Sequence, residues 1–128
     1  GGTASPDLTG RSLAPFLRGE RPAGWRDEIH TQCNGVELYY TQRSVRTAAW
    51  KYVFNGFDRD ELYHLADDPQ EMTNLAGDPA CEPVVREMCR RMWRFAQREQ
   101  DTATNAYITV SLAPFGPAEA FRGDPPGA

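Results

Sequence analysis

Between Trp50 and Phe54 the chain alternates, with Trp50, Tyr52 and Phe54 on one side and Lys51 and Val53 on the other. Three large aromatic side chains at period two are buried together only if the segment is a strand with one face against a core. The remainder of the chain must therefore supply strands beside this one and a cover over its aromatic face.

Both are legible. From Asp27 the period is again two, with Ile29, Thr31 and Cys33 set against Glu28, His30 and Gln32. Asn34-Gly35 then offers the residues of a type I′ hairpin turn, so a second strand is expected from about Val36 to Thr47. Ala48-Ala49 leads into the aromatic strand. After a turn-rich stretch at 55–60, Glu61 to Leu65 forms a short fourth strand that Asp67-Asp68-Pro69 stops. Asp78 before Pro79 reads as an N-cap and first helical position, and Val85, Met88, Cys89, Met92 and Ala96 recur at helical spacing to about Glu99. The expected class is α+β, a four-stranded antiparallel sheet packed by one long C-terminal helix, with an extended N-terminal linker and an irregular tail.

The boundaries follow the composition. Residues 1–26 are rich in Gly, Pro and Arg and read as a linker, broken by one helical turn in which Leu13, Phe16 and Leu17 would need an apolar partner surface. Residues 27–100 form the body. Residues 101–128 are expected to wrap it and then fray, with Tyr107 to Leu112 short and extended, and with Gly116, Pro117, Pro125 and Pro126 ending regular structure. The opening Gly1-Gly2-Thr3-Ala4-Ser5-Pro6 has no initiator Met and reads as a loop inside something larger.

At 128 residues there is room for one core. The net charge is −4, and from Arg86 to Glu99 the arginines are interspersed with acids, so the basic stripe that a nucleic acid requires is missing. No apolar run is long enough to cross a bilayer, and no signal-peptide pattern is present, so no membrane partner is expected. Cys33, Cys81 and Cys89 fit neither a CxxC pair nor a zinc set. On one helix Cys81 and Cys89 would lie about 12 Å apart, too far to bridge, so free thiols are expected.

Four stretches in series carry a likeness. They are Arg43-Ser44-Val45-Arg46-Thr47, Trp50-Lys51-Tyr52-Val53-Phe54-Asn55, Glu61-Leu62-Tyr63, and Asp68-Pro69-Gln70-Glu71-Met72-Thr73-Asn74-Leu75. Their order and spacing resemble the C-terminal subdomain of type I sulfatases. Thr9 to Gly19 is similar to the segment leading into that subdomain, except that Thr9 stands where the family has an acidic residue. The resemblance implies a parent hydrolase of the alkaline phosphatase superfamily, whose N-terminal catalytic domain holds a formylglycine nucleophile and a divalent cation, usually calcium. It implies no catalytic residue, metal ligand or cofactor within this chain. Cys81-Glu82-Pro83-Val84-Val85-Arg86 is only superficially like the formylglycine motif Cys-x-Pro-Ser-Arg, because Val84 replaces Ser and Arg86 comes one residue late.

The expected role is to wall the substrate cleft, with a sulfated small molecule or glycan as substrate and the catalytic domain of the same protein as partner. His30, Gln32 and Asn34 are candidate substrate contacts, since an imidazole and two amides can bind sugar hydroxyls or a sulfate oxygen. The same three also fit the solvated face of a half-buried strand, which is the commoner arrangement. Arg43, with Arg46, can grip an anion bidentately, although pairing with carboxylates such as Glu61 or Asp68 is the usual fate of strand arginines. His64 has no second ligand at metal spacing, and Asp58, Asp60 and Glu61 lack the order of a calcium loop and read as a turn of solvated acids. Two rivals stand beside this reading. One is a phosphonate or phosphodiester hydrolase of the same superfamily, and the other is a stand-alone binding or assembly module, which would cover Leu13, Phe16 and Leu17 internally.

Overall fold

The computed structural model describes residues 10–35, 41–56, 58–101 and 114–121. The expected positions of Thr9, Val36 to Tyr40 and Tyr107 to Leu112 lie outside them. A short helix α1 (Ala14–Leu17) precedes strands β1 (Ile29–Cys33), β2 (Gln42–Arg46), β3 (Trp50–Asn55) and β4 (Glu61–His64). The long helix α2 (Glu82–Arg98) follows, and a 3-10 turn spans Pro117–Phe121. The strands pair antiparallel in the order β1-β2-β3-β4, the expected meander.

Register decides which side chains share a face. His30 pairs with Val45, Val45 with Tyr52, and Tyr52 with Leu62, while Arg43 pairs with Phe54 and Trp50 with His64. These residues form the face that α2 covers. Val45, Tyr52, Phe54 and Leu62 are fully buried there against Val85, Met88, Cys89, Met92, Trp93 and Ala96 of the helix. Trp93, outside the stripe expected from spacing, meets Phe54 edge-on at 5.4 Å between ring centroids.

The pairing of Cys33 with Gln42 corrects one expectation. A two-residue turn at Asn34-Gly35 would have paired Cys33 with Val36, but β1 and β2 are joined across 34–41. The hairpin signal loses because the register must place His30 and Val45 together on the face covered by α2, and local turn propensity is weaker than that burial.

Asp78 accepts a hydrogen bond from the Ala80 amide at 2.9 Å and caps a 3-10 turn (Pro79–Cys81) that runs into α2. Asn74 ties the other edge of the sheet: its Oδ1 accepts from the amides of Leu62 (3.0 Å) and Ala76 (2.9 Å), and its Nδ2 donates to the Asp60 carbonyl (3.1 Å). The Leu75 amide donates to the Leu62 carbonyl at 2.8 Å, and the amides of Asp67 and Asp68 reach the His64 carbonyl at 3.2 and 2.8 Å.

Residues 114–121 lie against the body and form a turn that the Gly and Pro content did not announce. Arg86 pairs with Glu119 at 2.9 Å and lies over the Phe115 ring, while the Cys89 thiol donates to the Phe115 carbonyl at 3.5 Å. All three cysteines are free. Leu13, Phe16 and Leu17 are 61%, 41% and 88% exposed, with Phe16 touching Trp25 edge-on.

Candidate functional site

A cavity of about 540 Å³ opens between the C-terminal end of α2 and strands β1 and β2. His30, Gln32, Asn34 and Arg43 all line it. Strand alternation places His30 and Gln32 on one face, and Gln32 pairs directly with Arg43, so three of the four arrive together from a single register. Met92, Phe95 and Ala96 form the apolar wall on the helix side.

His30 is not on a solvated face. Its side chain is 8% exposed, its ring stacks in parallel on Phe95 at 3.9 Å between centroids, and Nε2 lies 2.9 Å from Glu28 Oε1. The expected solvated strand face is thereby corrected for His30: α2 overhangs β1, and Phe95 takes the imidazole as a core partner. A carboxylate only accepts, so Nε2 donates a proton to Glu28. Nδ1 is buried without a hydrogen-bond partner among the described residues, a state that costs about 1–3 kcal/mol. Gln32 and Asn34 are exposed.

Glu28 accepts from Arg91 Nη1 at 2.9 Å through its other oxygen, and Arg91 Nε donates to Glu87 at 3.1 Å. Burial pushes the Glu28 carboxyl up, but the hydrogen bonds from His30 and Arg91 outweigh it and hold the group below its ordinary value of 4.5. A carboxyl lowered in the folded state contributes stability above its unfolded pKa and loses it as pH falls through the folded value. Glu28→Gln is expected to cost up to about 1 kcal/mol near neutrality and to flatten the acid limb of the stability profile below about pH 5. Urea midpoints of both proteins across that range check this; parallel profiles would show that Glu28 is not linked to folding.

Arg43 is 5% exposed, with four of its five N–H groups engaged. Nε and Nη2 meet the two oxygens of Asp101 at 2.5 and 2.9 Å, and Nη1 donates to the carbonyls of Gln42 (2.8 Å) and Cys33 (3.3 Å). The pairing with a carboxylate was expected, but its identity is corrected from Glu61 or Asp68 to Asp101. After α2 the chain reverses through Gln100, which is left-handed at φ +53°, and the Asp101 amide donates to the Ala96 carbonyl at 2.9 Å. That reversal points Asp101 back at β2, a contact no local spacing encodes. Arg46 goes instead to Glu71 at 3.6 Å, and Lys51 binds the same carboxylate.

The acids of the 58–61 turn are not all solvated. Asp60 is 4% exposed, accepting from the Tyr52 hydroxyl and from the Asn55 amide at 3.1 Å. Burial pushes up its carboxyl, and burial likewise raises the Tyr52 phenol and takes the Cys89 thiol to about 12. Asp58 accepts from the Arg59 amide, and Glu61 accepts from Asn55 Nδ2 and the Tyr63 hydroxyl. His64 binds Asp67 at 2.7 Å and lies against Trp50. Among the described residues no three His, Cys, Asp or Glu side chains are grouped to hold a metal ion.

Residues 1–98 match the family described as N-sulphoglucosamine sulphohydrolase, C-terminal. A multifunctional alkaline phosphatase superfamily protein of Trinickia caryophylli, PehA, is 31% identical over 116 residues, covering 78% of this chain and 23% of that protein. A Delta 4,5-hexuronate-2-O-sulfatase of Bacteroides thetaiotaomicron is 33% identical over 107 residues, covering 78% and 22%. The crystal structure of the phosphonate monoester hydrolase of Agrobacterium radiobacter superposes with a TM-score of 0.62 at 27% identity, covering 74% of this chain and 22% of that one. The chain thus spans less than a quarter of the length of each of these proteins.

Proposed function

The chain belongs to the N-sulphoglucosamine sulphohydrolase C-terminal family, and from that premise we propose that it is the C-terminal part of a sulfuric ester hydrolase in which it walls the substrate cleft. The match over residues 1–98, which takes in the expected linker and nearly all of the body, carries the reading. The chemistry falls to a catalytic domain of the parent protein, with its formylglycine and its calcium. The acids of the 58–61 turn do not fit that ion: Asp60 is held by Tyr52 and Asn55, Asp58 by Arg59, and Glu61 by Asn55 and Tyr63. A bound calcium would supply charge stabilisation to the transferring group from the parent domain. What this chain contributes is shape and hydrogen bonding at the cavity, with His30, Gln32 and Asn34 as the proposed substrate contacts and Arg43, held by Asp101, as part of its wall. The exposed Leu13, Phe16 and Leu17 support a partner domain and disfavour a stand-alone module, which would cover them.

A second reading is favoured by the likeness to PehA and to the phosphonate monoester hydrolase. The subdomain does not report whether sulfur or phosphorus is attacked. The test is to read the coding DNA in frame upstream of Gly1 and then assay the full-length product on aryl sulfate and aryl phosphonate esters. A Cys/Ser-x-Pro-Ser-Arg motif with sulfate hydrolysis dominant is expected. Faster phosphonate turnover establishes the second reading, and a start codon near Gly1 with no catalytic domain sinks both.

A further inference from the structure

Asn-Gly occurs twice in the chain, at Asn34-Gly35 and Asn55-Gly56. In such a pair no side chain on the glycine shields its amide nitrogen, which can therefore attack the neighbouring carboxamide. Hydrogen bonds that fix the carboxamide oppose this, as does an acceptor that holds the amide proton. Asn55-Gly56 has both protections. Asn55 is 2% exposed, its Oδ1 accepts from Gln42 at 2.7 Å, and its Nδ2 donates to the Arg59 carbonyl and to Glu61 at 2.9 Å each. The Gly56 amide donates to the Thr41 carbonyl at 3.0 Å. Asn34 is exposed, and among the described residues neither its carboxamide nor the Gly35 amide has a hydrogen-bond partner. Gly35 is left-handed at φ +71°, so the backbone favours at this position the residue that leaves the amide open to react.

We propose that Asn34 is a site of spontaneous deamidation, a modification that turns a neutral residue of the cavity lining into a carboxylate. The Gly35 nitrogen gives up its proton to base and bonds to Asn34 Cγ, closing a succinimide ring. The Cγ–Nδ2 bond breaks in the same stage, and the nitrogen leaves as ammonia after taking up a proton. Water then opens the imide. Breaking the new N–Cγ bond leaves an aspartate at position 34, and breaking the bond from nitrogen to the main-chain carbonyl leaves isoaspartate, with the chain running through the former side chain. In sum an amide and a water become an acid and an ammonia, which needs no oxidant, reductant or metal. Asn34 shares the cavity lining with Glu99 and Asp101, so the product is a third carboxylate there. Isoaspartate also inserts a methylene into the main chain just past β1. This chemistry ages the cavity whatever the cavity binds, so it stands apart from the cleft-wall reading.

The test uses the folded full-length parent protein, held at mildly alkaline pH, sampled over days and digested with trypsin. Peptides 27–43 and 52–59 each carry one of the two pairs, and both are followed by mass and by isoaspartyl methyltransferase labelling. Peptide 27–43 is expected to show the mass rise of an amide becoming an acid and to take the label. Peptide 52–59 should lag by about a hundred-fold, the factor set by breaking the three hydrogen bonds of its carboxamide. In guanidinium chloride, with the fold gone, the two should convert at comparable rates. An unchanged 27–43 peptide in the folded protein overturns the proposal, as do equal rates for the two pairs there or a lag of 52–59 that persists in guanidinium. Turnover is not measured, so a parent that hydrolyses no ester loses the cleft-wall reading and keeps this site. A sulfatase whose 27–43 peptide stays intact does the reverse.

Discussion

Arg43→Ala is expected to destabilise the protein by about 3–5 kcal/mol, because it removes one member of a buried ion pair and with it both guanidinium bonds to Asp101. Asp101 is 13% exposed at its side chain, so water does little to replace the two guanidinium bonds it loses. The carbonyls of Cys33 and Gln42 lose a donor in the same step. The cost measures truncation and not the net worth of the pair, since bringing both charges out of water is itself expensive. Replacing both residues by Leu should therefore cost less than the sum of the two single replacements, with a coupling of about 0.5–3 kcal/mol. Urea unfolding of the four proteins gives the cycle. A cost below about 1 kcal/mol for Arg43→Ala would mean that the pair behaves as a solvated surface bridge.

Phe54→Ala should cost a similar amount, about 3–5 kcal/mol, by a different route. Phe54 is fully buried, sits beside Arg43 in the register and packs on Trp93. Truncation forfeits its transfer free energy and leaves a cavity that the facing helix cannot close without moving Trp93. Phe54→Leu, which keeps most of the volume, should cost much less, and urea midpoints separate the two. Equal costs would mean that the site depends on the aromatic ring contact and not on filled volume. Since domains of this size are stable by about 5–15 kcal/mol, either truncation removes a large share.

The sheet and its covering helix were legible because their signals are periodic and local. Trp50, Tyr52 and Phe54 repeat at two, the α2 stripe repeats at helical spacing, and Asp78-Pro79 marks the start with its own capping chemistry. Three candidate residues were found together for the same reason, since alternation alone puts His30, Gln32 and Asn34 on one side of a strand. What escaped depends on distant partners. The burial of His30 needs Phe95, and the commitment of Arg43 needs Asp101, fifty-eight residues along the chain. The register across 34–41 overrode a strong turn signal, and Asp60 went into the interior because Tyr52 brings a hydroxyl there. None of these leaves a mark in its own neighbourhood.

The bonds around Asn74 have a consequence for how copies of this protein meet. A sheet ends in rows of amide and carbonyl groups, and an open row is a template onto which another chain can add a strand, the first step of many aggregates. Along β4 the carbonyl of Asp60, both backbone groups of Leu62 and the carbonyl of His64 already have partners in the 67–75 loop. A single asparagine side chain supplies two of those contacts, taking the place that a neighbouring strand would fill at this edge. On that side four of the outward backbone groups are already satisfied, so edge-to-edge growth between molecules finds little to pair with.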